Sequence, residues 1–198
     1  RNAADNVRSG IISYLGHDPE LFNDSVRNNV LLGDDYDVFE YLRAVCMDKE
    51  VEAMEQGADT IIGSEGIRLS GGQAQRIALA RMLCHKKLVL VLDDPFSALD
   101  RNTEEQIYKK LKDMASDNIV ILISHRLYMF PKMDKVIWMD AGKANVGTHK
   151  ELMLECPGYR KMYETVSVEE CRTVETENEG LAAAKVVENS RRVVDKHE

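Results

Sequence analysis

Leu88-Val89-Leu90-Val91-Leu92-Asp93-Asp94-Pro95 is an apolar run without alternation, closed by two carboxylates and a proline. A strand with one wet face alternates polar and apolar residues, whereas a strand covered on both faces does not. The run therefore predicts a buried strand of a parallel sheet. Carboxylates at the carboxyl end of such a strand stand where open α/β sheets bind their ligands. The plainer alternative is a strand ended by turn-forming aspartates.

Outward from this strand the pattern stays regular. Residues 70–84 predict a mostly buried helix, because Ala74, Ile77, Ala78, Leu79, Ala80, Met82 and Leu83 cover most of its surface. Residues 103–115 predict an amphipathic helix, and Ile119 to Ile123 form a second continuous apolar run expected to be a buried strand. Strand, helix, strand in this order is the α/β pattern. Upstream, 11–15 reads as a strand feeding the loop Gly16-His17-Asp18-Pro19. Between Ser25 and Glu55 the apolar spacing is helical (Val26, Val30, Phe39, Leu42, Val45, Met54), and Gly33-Asp34-Asp35 breaks it into at least two helices. Downstream, 135–139 and 143–147 flank an Asp140-Ala141-Gly142 turn and predict a hairpin. Thr148, three residues before Glu151, predicts a capping box on a following helix. From Val166 the chain is acidic and poor in large apolar residues. Residues 166–198 are expected to be a disordered tail, with a short helix over 181–194 as the alternative.

Composition narrows the function. The chain has 198 residues, 44% hydrophobic and 30% charged, with a net charge of -8. That size supports one domain with a core plus a tail. The acidic balance argues against an open basic face for nucleic acid. No apolar run approaches the roughly 20 residues that cross a bilayer, so a membrane role falls to another chain or to residues outside this one. Cys46, Cys84, Cys156 and Cys171 are scattered, without CxxC or metal-ligand spacing, and read as reduced thiols. The first residue is Arg1, which reads as a piece of something longer.

Three short runs carry the chemistry. Leu69-Ser70-Gly71-Gly72-Gln73 opens the buried helix. A serine at a helix N-terminus followed by two glycines exposes backbone N–H groups at the positive end of the helix dipole, a site suited to phosphate. The bland reading is an N-cap and a turn. At the end of the 88–92 strand, Asp93 is placed to orient magnesium through water, and Asp94 to polarise an attacking water. His125, in Ser124-His125-Arg126 at the end of the next apolar run, could bond a γ-phosphate and hold that water; a lone histidine is more often structural, but this one falls at the matching end of a neighbouring strand.

In this order the runs resemble the ABC ATPase family over roughly residues 8 to 164. Leu69 to Gln73 match its signature motif without substitution, and Gln75-Arg76-Ile77-Ala78-Leu79-Ala80-Arg81 continue it. Residues 88–93 match the Walker B strand, Ser97-Ala98-Leu99-Asp100 the D-loop, and His125 the switch histidine. The resemblance implies a P-loop NTPase core with a parallel sheet. Residues 1–165 would be a partial ABC ATPase domain, with about 19–84 as the helical signature subdomain and the remainder as the core. It implies ATP and Mg2+ as cofactors. Two such domains pack head to tail, so that Ser70, Gly71 and Gly72 meet nucleotide held by the partner, while Asp93, Asp94 and His125 serve this chain's own site.

Departures from the family pattern are informative. No GxxxxGK run followed by Ser or Thr occurs, and Gly63-Ser64-Glu65-Gly66 lacks the lysine. In the family that loop precedes the strand at 11–15, which places it before Arg1, so this chain alone is expected to bind ATP poorly. Asp94 stands where the family has Glu, and His17 where the loop after the first strand has Gln. Both changes fall in the chain's own site while its signature is intact. This asymmetry resembles the degenerate half of a heterodimeric exporter, with a symmetric homodimer as the alternative. The run from Asp18 to Val30 resembles the exporter loop and helix that meet the membrane domain, and Asp59 to Gly66 resembles the exporter segment before the signature. The expected function is the ATPase motor of an exporter at the cytoplasmic face of a membrane. The alternatives are a non-transport ABC protein and a non-catalytic cassette serving only a partner's ATP.

Overall fold

The computed structural model describes residues 10–63 and 66–165; the acidic stretch 166–198 lies outside them. The fold divides into two compact units, one ending at His125 and the next beginning at Arg126.

Along the first unit run β1 (Ile12–Leu15), β2 (Asp24–Ser25), α1 (Val26–Leu31), α2 (Val38–Ala44), α3 (Asp48–Glu52), a 3-10 turn (Gly57–Asp59), β3 (Ile61–Ile62), α4 (Gly71–Cys84), β4 (Val89–Asp93), α5 (Arg101–Met114) and β5 (Ile119–Ile123). The stretch read as at least two helices holds three. Leu32, in the left-handed region at φ 52, closes α1, and the Asp37 side chain caps α2 by accepting from the Phe39 N–H.

β1, β4 and β5 form a parallel sheet in the order β1-β4-β5, with Leu15 opposite Leu92 and Leu92 opposite Leu122. Parallel neighbours need a crossover, and α5 supplies it between β4 and β5. α5 buries Glu104, Ile107 and Leu111, one face at helical spacing. Leu90 and Leu92 are fully buried, which is worth about 1.5–3 kcal/mol each relative to exposure. α4 packs on β1, α1 and α2. It buries Ile77, Leu79, Ala80 and Leu83, the face expected from its sequence.

Two expectations need correction. The 88–92 run predicts burial on both faces, but Leu88 is exposed and Val89 and Val91 are only half-buried, so β4 is fully covered on the Leu90–Leu92 face alone. Ile119 to Ile123 is a strand, but Ile119, Ile121 and Ile123 are exposed within the described residues. Among the described residues β5 bonds only to β4 in this sheet. A continuous apolar run reports that both faces of a strand avoid water in the finished molecule; an outer strand of a three-stranded sheet lacks the neighbours that would do so.

In the second unit a 3-10 segment (Leu127–Lys132) precedes β6 (Val136–Asp140) and β7 (Lys143–Gly147), an antiparallel hairpin. Ala141 and Gly142 turn it with φ 46 and 77, the doubly positive pair that a tight hairpin with right-twisted strands requires. α6 (His149–Glu155) starts on the expected capping box: the Glu151 N–H donates to Thr148 Oγ1 and the Thr148 N–H to Glu151. A further helical stretch covers 157–165. Val136, Leu152 and Tyr159 form this unit's small core.

Candidate functional site

The N-terminus of α4 is built by its own side chains. Ser70 has extended backbone (φ -67, ψ 159) and its Oγ accepts from the Gln73 N–H at 3.2 Å. The Gln73 Oε1 in turn accepts from the Ser70 N–H at 2.9 Å, a complete capping box. The box leaves Gly71 and Gly72 at the first two helical positions, where N–H groups have no intrahelical acceptor. Nothing lies within 4 Å of where a Gly71 Cβ would be, so no side chain crowds that side of the helix start.

The back of the same turn is packed. A Cβ on Gly72 would sit 3.1 Å from the Ala98 carbonyl oxygen. The glycine is what lets the 97–100 turn approach the helix start. Asp100 ends that turn as the cap of α5, taking the Thr103 N–H at 3.0 Å and the Thr103 hydroxyl at 2.6 Å. The hydroxyl bond first, then the backbone bonds, hold its carboxyl below the usual carboxylate range.

The carboxyl ends of the three parallel strands bring the other candidates together. Asp93 Oδ2 accepts from the Tyr14 hydroxyl at 3.0 Å, and this bond raises the tyrosine above its ordinary pKa. Asp94 sits at φ 48, a left-handed conformation that Asp tolerates better than most residues. Its N–H donates to the Ile123 carbonyl at 2.8 Å, continuing the β4–β5 ladder by one residue. Its Oδ2 lies 3.3 Å from His125 Nδ1 and 4.0 Å from His17 Nδ1. Its Oδ1 is buried and has no hydrogen-bond partner among the described residues. Asp93, Asp94, His17 and His125 thus share one edge of the sheet, and both imidazoles remain largely exposed.

Among the described residues no three carboxylate, imidazole or thiol groups converge to hold a metal ion alone. A magnesium ion that keeps its waters and leans on phosphates needs only one or two carboxylates. Asp93, partly exposed at the strand end, fits that requirement. Among the described residues no helix is long and apolar enough to cross a membrane.

Residues 18–30 are fixed from within. β2 pairs antiparallel with β3, and the fully buried Asn29 side chain holds the turn. Asn29 Oδ1 accepts from the Phe22 N–H at 2.8 Å, and its Nδ2 donates to the carbonyls of Phe22, Asp24 and Ser25. Arg81, in the last turn of α4, donates to the Asn29 carbonyl at 2.6 Å, to Asn29 Oδ1 at 2.8 Å and to the Glu20 carbonyl at 3.0 Å. Its guanidinium also stacks 4.8 Å over the Phe22 ring. Sequence reading placed Arg81 only as a continuation of the signature, and Asn29 only inside a run. Their bond spans 52 positions, beyond any local pattern.

A parallel sheet with carboxylates and imidazole at its carboxyl edge, and a glycine-opened helix start beside it, defines the class: a P-loop NTPase fold with a signature helix. The family model described as ABC transporter matches residues 3–97. The chain is 36% identical over 154 residues to ABC transporter B family member 1 of Dictyostelium discoideum, covering 75% of this chain and 17% of that protein. It is 38% identical over 149 residues to an ATP-dependent lipid A-core flippase of Alcanivorax borkumensis, covering 72% and 26%. A bacterial Atm1-family ABC exporter solved with ATP bound aligns with TM-score 0.73 at 30% identity, covering 81% of this chain and 29% of that one. The chain belongs to the ABC transporter family, and it spans less than a third of the length of these relatives.

Proposed function

We propose that this chain is the ATP-binding motor domain of an ABC exporter, working by ATP-dependent pairing with a second ATP-binding domain. The observation that carries the reading is the start of α4: a complete Ser70–Gln73 capping box followed by Gly71, whose Cβ side is clear of neighbours. A donor cluster of this kind, at the positive end of a helix, suits the phosphates of a nucleotide held by a partner. Leu69 and Gln73 flank those contacts, and Ser97 to Asp100 back them. The names of the relatives, an exporter and a lipid A-core flippase among them, support export as the transport direction.

In this chain's own site, Asp93 would hold magnesium through water and Asp94 would take the proton of the attacking water. His125 would bind the γ-phosphate, and His17 stands at the loop position facing it. When bound, Mg2+ supplies charge neutralisation between the phosphates. Asp94 is one methylene shorter than the family glutamate and already engages His125. A displaced base forfeits much of a contribution worth about 10²–10⁴ in rate. This favours a slow own site, and hence a heterodimer whose active site pairs this signature with the partner's phosphate loop. Residues 18–30 are the surface proposed to meet a transmembrane domain, at the cytoplasmic face of the membrane. Domain organisation follows the same reading: a helical signature part over about 19–84, the remainder of 1–165 as core, and 166–198 as an appended tail.

The test is hydrolysis by the full-length transporter with Ser70→Ala. The expected result is a loss of about tenfold or more, the scale of removing one preorganised donor from a charged transition state. Unchanged hydrolysis would overturn the reading. The 198-residue chain alone is expected to retain ATP weakly, measured by equilibrium dialysis.

A further inference from the structure

Both ends of the Gln73 amide are engaged within the chain. Its Oε1 receives the Ser70 N–H, and its Nε2 donates to Glu50 Oε2 at 2.8 Å. The other oxygen of that carboxylate, Glu50 Oε1, pairs with Arg76 Nη1 at 2.7 Å. Arg76 is nearly buried, with 12% of its side chain exposed, and also donates to the Cys46 carbonyl at 2.8 Å and the Gly72 carbonyl at 3.3 Å. Glu50 itself rides on α3, anchored by the fully buried Val51 beside it. One carboxylate from a different helix therefore holds two residues of the first turns of α4.

We infer that Glu50 is a positioning residue for the signature: it fixes Gln73 and Arg76 together, and through them the aim of the Ser70–Gly72 donors. The inference rests on the proposed role of those donors toward a partner's nucleotide. Without Glu50 the Gln73 Nε2 loses its carboxylate acceptor, and the bond from the Ser70 N–H to Oε1 is left to hold the amide by itself. The Arg76 charge loses its compensation in a place with little water. The Ser70 backbone then relaxes, and the donors lose the fixed geometry on which charged recognition depends. Burial pushes the Glu50 carboxyl up, but the bonds from Gln73 and Arg76 and the Arg76 charge outweigh it. The group is held below the usual carboxylate range, ionised and bonded. Gln73 on this account works inward, as a strut.

The experiment uses the full-length transporter with Glu50→Ala, Glu50→Gln and Ser70→Ala, reading the ATP concentration for half-maximal hydrolysis, the maximal rate and the melting temperature. Glu50→Ala is expected to raise the half-maximal ATP concentration by about tenfold with a smaller change in maximal rate. Glu50→Gln, which keeps one oxygen acceptor but not both charged bonds, is expected to fall between Ala and the native residue. If Glu50→Ala impairs folding, Glu50→Gln carries the same comparison. A lowered melting temperature with unchanged ATP dependence in both variants, alongside a shifted Ser70→Ala, would sink the role of Glu50 and leave the signature reading intact. An unshifted Ser70→Ala would remove the signature reading itself.

Discussion

The Asp94 carboxylate lies 3.3 Å from Nδ1 of His125, and the backbone that delivers it is left-handed, with φ 48. The carboxylate reaches the imidazole because the residue just after the strand accepts this conformation. Replacing Asp94 by Asn, which also tolerates it, is expected to keep unfolding free energy within about 1 kcal/mol. Asp94→Val, β-branched and strained there, is expected to lose about 1–3 kcal/mol. Urea denaturation of the 198-residue chain makes the comparison, and equal losses would show that the backbone strain is not what selects Asp.

The two signature glycines answer to different demands. A methyl on Gly71 meets open space, whereas one on Gly72 must move the Ala98 carbonyl. Gly71→Ala is expected to fold with native stability or slightly better, since Ala is the better helix former by about 1 kcal/mol. Gly72→Ala is expected to cost about 1 kcal/mol or more. Thermal melting ranks them, and the reverse order would contradict the packing described.

Arg81 is expected to be worth more than its charge. Its bonds go to neutral acceptors on Asn29 and Glu20, so Arg81→Lys keeps the charge and loses the fork. The expected loss is about 1.5–3 kcal/mol, the scale of a hydrogen bond to a charged group. Amide exchange should quicken over residues 20–30 in this variant; protection left unchanged there would mean that Arg81 does not hold the loop.

Two phenols, the half-buried Tyr41 and the buried Tyr159, set the alkaline limit. Tyr41 is raised to about 12 by burial and then by neighbouring Cys84, and Tyr159 to about 12 by burial and then by Tyr163, against the ordinary 10.0. Between these values the unfolded phenol has released its proton while the folded one keeps it. The unfolded state then binds fewer protons, and stability falls as pH rises through that window; below it neither tyrosine contributes. Phenolate absorbance should show two late-titrating groups, and Tyr41→Phe should flatten the decline of its unit. An unaltered slope would place the alkaline loss elsewhere.

Much of the skeleton was legible because its signals are local. The apolar run ending at Asp93 announced a strand, Ser70 and Gln73 announced a helix start, and Thr148 with Glu151 another. Each depends on residues a few positions apart. Glu50 was invisible for the opposite reason: a glutamate in a five-residue helix looks like any solvated charge until the fold sets it beside Gln73, 23 positions away. Arg81 and Asn29 were hidden in the same way. The exposure of β5 escaped notice because an apolar run records how a strand is covered and carries no information on what covers it. Asp94's positive φ leaves no periodic trace at all.

Gln75, buried midway along α4, donates to the Gly16 carbonyl at 3.3 Å. With Arg81 gripping residues 20–29 at the lower end, and Glu50 and the Ala98 turn holding Gln73, Arg76 and Gly72 at the upper, the helix is braced along its length. Roughly 16 Å of helix separates Arg81 from Ser70 at 1.5 Å per residue. A tilt of about 7° about the lower grip carries the tip roughly 2 Å, enough to make or break a hydrogen bond. Length of this kind would amplify any looseness: without the upper brace, a displacement too slight to disturb the loop at Glu20 would become, at the far end, the difference between contact and none.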